Sequence, residues 1–392
     1  MHKSAPVSGD RQCGDMAATR VAIQLISTGG IYGAERALLE LAAYLSDQGW
    51  ESHVVALEGH GAGPLAEMAA AQGLPAEAFV ASGRLGLLPM ASKLRWLLAR
   101  YSDAILHAHG YKADILLSWM GAHRRRGCLA TCHNWISETR KLKLLEALDK
   151  RALRNFDHVV AVSAPIAREL VRAGVSAQKV SVIANGISVP AVEEGRGVGV
   201  RAEFGVPAGG KLIVQIGRLA RSKRIDLLLQ AVSKLPDDLQ THVLLVGQGE
   251  QREFLAQLAE RYGLERRVHF CGYRGDVGRL LAEADLMALS SDREGLPIVI
   301  LEAMATGCPI VTTRVGAIPD VLTDGHDAWI VPANDPNALR RAISEVLERP
   351  EVARSRAANA RTRYFRLYSR DAMGAQYLQI YEDVWNRRQR PT

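Results

Sequence analysis

Between Ser290 and Gly307 the sequence reads SSDREGLPIVILEAMATG, with carboxylates at Glu294 and Glu302 on either side of a Gly295-Leu296-Pro297 turn. Pro297 has its φ preset for a first helical turn and Gly307 is a natural stop, so the spacing predicts a helix over 297–306. Glu294 then lies in the loop above the helix N-terminus and Glu302 about a turn and a half inside, roughly 8 Å further along the axis. The open N–H groups and the positive dipole end between them form an anion site. A diphosphate fits there, with a sugar reaching toward Glu294 and a ribose toward Glu302, because ionised carboxylates only accept hydrogen bonds and so suit hydroxyl-rich groups. Two glutamates so spaced are ordinarily incidental to a core helix. The loop-glycine-proline entry and the surrounding elements argue for the ligand.

Those elements are strands that empty into short loops. KLIVQIG (211–217) reads as a buried strand followed by Arg218 and Lys223, which puts two cations above a carboxyl strand edge after Gly217. Fixed cations there would stabilise a departing diphosphate more in the transition state than in the ground state. THVLLVG leads to Gly247-Gln248-Gly249, an incomplete dinucleotide fingerprint with Arg252 at the place of the third glycine. VHFCG (268–272) ends at Tyr273-Arg274, and the strand after it runs straight into the Glu294 loop.

The first half opens with VAIQLIS, the turn Thr28-Gly29-Gly30-Ile31-Tyr32-Gly33, an apolar-periodic helix and SHVVALE, a βαβ start with a glycine-rich turn. AILH (104–107) empties into Ala108-His109-Gly110, and LATC (129–132) into His133-Asn134-Trp135, so both histidines are expected just past carboxyl strand ends. Ser163 is the expected N-cap of a helix, Asn185-Gly186 closes the last strand of this half, and a Gly-, Pro- and charge-rich stretch follows.

At 392 residues the chain is too long for one ordinary core, so two domains are expected. No apolar run approaches the length that spans a bilayer. The first twenty residues lack the apolar stretch of a secretory signal and read as a disordered tail. Five scattered cysteines favour reduced thiols in a cytoplasm, and Cys128, Cys132 and His133 lack the further ligands of a tetrahedral metal set. The net charge of +7 is concentrated: residues 84–154 hold fourteen Lys or Arg against five Asp or Glu. Such a face attracts phosphate-rich partners. No nucleic-acid module accompanies it, which leaves contact with an anionic membrane as the expected partner.

The run EGLPIVILEAMATGCPIVTTRVGAIPDVL resembles the E-x7-E signature of glycosyltransferase family 4, retaining enzymes that use nucleotide sugars and have the GT-B fold. The resemblance extends over about 21–385. It implies an α/β chain of two Rossmann-like parallel-sheet domains facing across a cleft. Residues 1–20 would be a tail, 21–187 the acceptor-binding domain, 188–210 a linker, 211–369 the nucleotide-sugar domain, and 370–388 a helix crossing back to the first domain. It implies that Glu294 contacts the donor hexose, Glu302 the ribose, and Arg218 and Lys223 the diphosphate. Gly29, Gly30, Gly217, Gly247, Gly249, Gly295, Leu296 and Pro297 would line the donor, with the Tyr273-Arg274 turn at the nucleobase. His133 stands at the family's TxH position beside the reacting sugar, with His109 and Asn134 on the acceptor side. The family motif G-R-x4-K-G is met except that Arg224 replaces the last glycine.

The expected activity is transfer of a hexose from a nucleotide diphosphate sugar, UDP-sugar rather than GDP-mannose, to a hydroxyl of a glycan or lipid-linked acceptor in envelope or exopolysaccharide synthesis. The place of action would be the cytoplasm, at the inner face of the plasma membrane. No D-x-D pair is present to hold a metal on the diphosphate. No cofactor beyond the sugar nucleotide is expected. The competing readings are a nucleotide-sugar epimerase of the same fold, a dinucleotide-dependent oxidoreductase built on the Gly29 turn, and a non-catalytic binding protein.

Overall fold

The computed structural model describes residues 19–27, 33–58, 63–80, 87–133, 140–188, 199–294 and 297–389. They fall into two compact units, Met1–Val182 with Leu378–Thr392, and Ile183–Tyr377.

The first unit is built on strands β1 (Val21–Ile26), β2 (Glu51–Glu58), β3 (Ala76–Val80), β4 (Ile105–His109), β5 (Cys128–Cys132), β6 (His158–Ala161) and β7 (Val180–Val182). All pair in parallel, in the order β3-β2-β1-β4-β5-β6-β7. A parallel sheet covered on both faces needs apolar side chains on both, and β1, β4 and β5 are buried at every position. One face, carrying Ile23, Leu25, Leu106, Ala108, Ala130 and Cys132, packs into the main core. The other face of the same strands carries Gln24, His107, His109 and Thr131, in register as Gln24 beside His107 and His109 beside Thr131.

The second unit has β8 (Leu212–Ile216), β9 (His242–Val246), β10 (Val268–Gly272), β11 (Leu286–Leu289), β12 (Ile310–Thr313) and β13 (Trp329–Val331), again parallel, in the order β10-β9-β8-β11-β12-β13. In each unit the strand order reverses once, between β1 and β4 and between β8 and β11. Open α/β sheets bind ligands at the carboxyl edge of such a reversal.

The linker expectation is corrected here. The stretch 188–210 does not remain linker to its end. Its helix Val200–Glu203 buries Val200 in the second unit's core with Leu212, Val214 and Leu244. The Glu283 carboxylate accepts from the amides of Val200 and Arg201 at 3.0 and 3.2 Å. Ser163 is the N-cap of the helix Ala164–Arg172, as expected, with extended backbone and no side-chain capping hydrogen bond. The last helix is longer than expected, Arg370–Gln389, and from Leu378 it is grouped with the first unit. There Tyr381 and Trp385 meet Trp50 edge-on, with ring centroids at 5.3 and 5.7 Å.

Candidate functional site

In the second unit β11 is followed directly by Ser290 and Ser291, and the chain reaches Glu294 four residues after Ser290. The Glu294 carboxylate is not idle. Its Oε1 accepts from Lys223 Nζ at 2.5 Å and from Ser291 Oγ at 2.6 Å. The ion pair is largely shielded, with Lys223 18% and Glu294 9% exposed. Ser290 Oγ donates to the carbonyls of Lys223 and Arg224 at 2.9 Å, Thr313 Oγ1 to that of Ser291 at 2.5 Å, and the Asp292 amide to the Ser222 carbonyl at 3.0 Å. The loops after β8 and β11 and the last residue of β12 are thereby tied together at the strand reversal.

The helix begins at Ile298 with Pro297 as its N-cap and stops at Thr306 with Gly307 left-handed at φ 72°. Pro297 offers no side-chain cap and the first turn carries no acidic residue, so no acidic side chain of that turn competes with an incoming anion. Glu302 lies in this helix, partly buried.

Arg218 is 72% exposed and reaches Glu250, itself 50% exposed, at 3.1 Å. Solvent screening weakens an exposed pair of this kind, so Arg218 is readily released to a stronger anion. Gly217 has φ 148°, and a Cβ there would lie 3.5 Å from Lys223 Cε. Arg224, where the family motif has glycine, nonetheless adopts the left-handed conformation, φ 47° and ψ 40°. Its guanidinium is held by Asp226 at 3.1 and 3.0 Å and by Asn334.

The turn Gly247-Gln248-Gly249 owes its glycines to backbone, whatever a ligand adds. A Cβ on Gly247 would stand 2.1 Å from the Gly217 carbonyl oxygen, and one on Gly249 2.3 Å from that of Leu219. Leu219 N donates to Gln248 O and Gln251 N to Leu219 O, both at 2.9 Å. Tyr273 is 78% exposed. The Arg274 side chain is engaged instead with Asp276 at 2.7 Å and Glu203 at 2.5 Å, and hydrogen bonds to these carboxylates raise its pKa further.

In the first unit His109 is not past the strand end but is the last residue of β4, buried, while His133 directly follows β5. The strand runs two residues beyond AILH because Ala108 and His109 still pair with β1 and β5. The two rings are stacked, with His109 Nδ1 3.4 Å from His133 Nε2. Burial pushes the His133 imidazole down to about 4, and burial, then its histidine neighbours, holds His109 well below the ordinary value. Both are neutral at physiological pH. His133 Nδ1 is shielded from solvent and has no partner among the described residues. Gly29, Gly30, Asn134, Gly295 and Leu296 lie outside the described residues.

Sequence reasoning passed over Ser291, Gln24, His107 and Tyr381. The available signal was a polar residue at alternate positions inside otherwise apolar strands: Gln24 in VAIQLI, His107 and His109 in ILHAH.

A glycosyl transferases group 1 model matches residues 200–363 and a glycosyltransferase family 4 model residues 31–189. N-acetyl-alpha-D-glucosaminyl L-malate synthase of Bacillus anthracis is 27% identical over 301 residues, 76% of this chain and 79% of that protein. The lipopolysaccharide core biosynthesis glycosyltransferase LpsE of Rhizobium meliloti is 33% identical over 187 residues, 47% of this chain and 54% of that protein. Among solved structures, Anabaena HepE in complex with UDP superposes with a TM-score of 0.79 at 23% identity, over 93% of this chain and all of that one. Two doubly wound parallel sheets with a cation–carboxylate edge are those of a GT-B glycosyltransferase that uses nucleotide sugars. The chain carries a glycosyltransferase family 4 domain followed by a glycosyl transferases group 1 domain.

Proposed function

We propose that the protein is a retaining, metal-independent hexosyltransferase that moves a hexose from a UDP-sugar to a hydroxyl of a glycan or lipid-linked acceptor. The observation that carries this reading is the Lys223–Glu294 pair fixed at the strand reversal beside an uncapped helix start. An ammonium has three donors, so Lys223 holds Glu294 with one and keeps others for phosphate oxygens. Arg218 leaves Glu250 for the diphosphate, Glu294 accepts from sugar hydroxyls and Glu302 from the ribose. Each charge-assisted contact contributes roughly 1.5–3 kcal/mol, on the order of ten- to a hundredfold in rate where it forms only as the phosphate departs.

The C1–phosphate bond breaks as the acceptor oxygen attacks C1 from the same face, and the acceptor proton passes to the leaving phosphate oxygen. No protein nucleophile is required. In the second unit the Gly247–Gly249 turn, the Gly217 carbonyl edge, the Tyr273-Arg274 backbone and Pro297 are the donor-binding groups. In the first unit His133 is the group for a sugar hydroxyl, with His109 on the acceptor side.

UDP is favoured because HepE, which shares the fold, was crystallised with UDP and with UDP-glucose. A glycan or lipid-linked acceptor is favoured by the name of LpsE and by the basic stretch 84–154. Two of its five acids, Asp114 and Asp149, are buried, which leaves the surface more positive, and Trp96 and Trp119 are exposed, with the Arg100 guanidinium over the Trp96 ring. Each cation near an anionic leaflet contributes about 1 kcal/mol, which supports action at the cytoplasmic face of the membrane. No helix among the described residues is long and apolar enough to cross it.

Thermal stabilisation by nucleotides tests the donor assignment. UDP at a hundred times its Kd stabilises by about 2.7 kcal/mol while GDP at the same concentration does not. Turnover persists in excess chelator. Labelled UDP-hexose without acceptor is at most hydrolysed; conversion to another hexose would make the enzyme an epimerase.

A further inference from the structure

Six side chains of the first unit form one hydrogen-bonded chain on the polar face of its sheet. Thr131 Oγ1 lies 2.8 Å from His107 Nε2, and His107 Nδ1 lies 2.8 Å from the Tyr381 hydroxyl. Gln24 Nε2 donates to that hydroxyl at 2.8 Å, and Gln24 Oε1 is 3.0 Å from His109 Nε2. His109 Nδ1 then meets His133 Nε2 at 3.4 Å. Strand alternation brings these residues to one face, and the last helix supplies Tyr381, which is fully buried, as are Gln24 and His107.

The direction of every bond in this chain follows from one amide. A neutral imidazole has one donor and one acceptor, whereas the two ends of a glutamine are not interchangeable. Burial pushes His107 down to about 3, so it is neutral like His109 and His133. With Gln24 Oε1 facing His109, the His109 hydrogen is on Nε2 and its Nδ1 is a lone pair. His133 must therefore donate from Nε2, which leaves a lone pair on its Nδ1, the atom that has no partner among the described residues. On the other side the Tyr381 hydroxyl accepts from Gln24 and donates to His107 Nδ1, and His107 Nε2 donates to Thr131. Turning the amide over would reverse every bond and make His133 Nδ1 a donor.

We propose that Gln24 and Tyr381 are positioning residues: they fix His133 with its hydrogen on Nε2 and a lone pair on Nδ1, so that it accepts a hydrogen bond from a substrate hydroxyl rather than donating one. This rests on the transferase reading only for the identity of the hydroxyl. Tyr381 extends the setting to the C-terminal helix, which thereby influences a residue more than two hundred positions away in sequence.

The test is the tautomer of His133, read from its 15N shifts in histidine-labelled protein without substrate. The expected state is Nε2–H. An Nδ1–H state overturns the proposal, and does so without reference to activity. Gln24→Glu, ionised or protonated, keeps an acceptor toward His109, whereas Gln24→Leu removes it. Gln24→Glu should therefore retain the Nε2–H signature and at least tenfold more kcat than Gln24→Leu, although burying a carboxyl makes it the less stable of the two. Tyr381→Phe should give mixed tautomers and a kcat loss of tenfold or more, with donor KM changed less than about twofold. Equal tautomers and equal kcat in Gln24→Glu and Gln24→Leu would reduce the chain to packing.

Discussion

Lys223 Nζ stands 2.5 Å from Glu294 Oε1 although 71 residues separate them in sequence, and the same carboxylate oxygen accepts from Ser291. One carboxylate and one hydroxyl after β11 and one ammonium after β8 set the geometry of the proposed donor site.

Removing either partner of this shielded pair leaves the other without its counter-charge. Lys223→Met should cost about 1–3 kcal/mol of stability and lower kcat roughly ten- to a hundredfold. Glu294→Gln should lower kcat comparably at smaller cost in stability, since the amide leaves Lys223 an acceptor. The double variant should recover stability relative to Lys223→Met without recovering turnover, because contacting residues are not additive. Thermal melts beside initial rates read this. A Lys223→Met enzyme with unchanged rate would remove the lysine from phosphate binding.

Arg224 explains a departure from the family motif. The backbone keeps the left-handed conformation that glycine would give, and the Asp226 contact compensates for the cost of a side chain there. That cost is about 1–2 kcal/mol for a residue with a Cβ. Arg224→Ala keeps the cost and loses the anchor, so it should destabilise by about 1–2 kcal/mol and impair Lys223. Arg224→Gly relieves the cost as it loses the anchor, and should stay near the parent in Tm and kcat. Equal losses in both variants would show that the anchor, not the conformation, matters.

How much was legible follows from what each element depends on. The strands and their loops were readable because each is a short apolar run broken by glycine or polar residues, and the Glu294–Gly307 segment because Pro297 and Gly307 punctuate it. The helix Pro350–Leu367 was passed over: it buries only Ala353, Ala357, Ala360 and Tyr364, a stripe too weak in hydrophobicity to stand out among its arginines. The linker reading failed at Val200 for the same reason in reverse, since its glycines and charges outvoted two buried valines. Pairings such as Lys223 with Glu294, or Gln24 with Tyr381, depend on strand order, which no local pattern encodes.

Gly249 offers a test of why the G-x-G turn exists. An added methyl would lie 2.3 Å from the Leu219 carbonyl oxygen and 2.8 Å from its amide nitrogen, backbone atoms that cannot step aside alone. Gly249→Ala should therefore displace the loop carrying Arg218 and Leu219. The expected result is a stability loss of about 1–3 kcal/mol together with weaker UDP binding in a thermal-shift titration. Weakened binding at an unchanged melting temperature would mean that the glycine serves the ligand directly.

Asp114 and Asp149, both buried, form a carboxyl pair between the helices Tyr111–Trp119 and Arg140–Leu153. Burial first, and then the Asp149 charge and hydrogen bond, hold the Asp114 carboxyl well above its ordinary range. Between the ordinary value and the raised one, the folded protein keeps a proton that the unfolded chain has released. Stability therefore falls as pH rises across that window, and the contribution of the shared proton is greatest on the acidic side. Asp114→Asn keeps the shape and supplies a permanent N–H donor to Asp149 that no base removes. The variant should melt close to the parent at pH 5 and above it at pH 8, by an increment that grows steadily between the two. Its kcat should match the parent's, since neither helix carries a proposed substrate contact. Parallel melting curves from pH 5 to pH 8 would show that the pair shares no proton in the folded state.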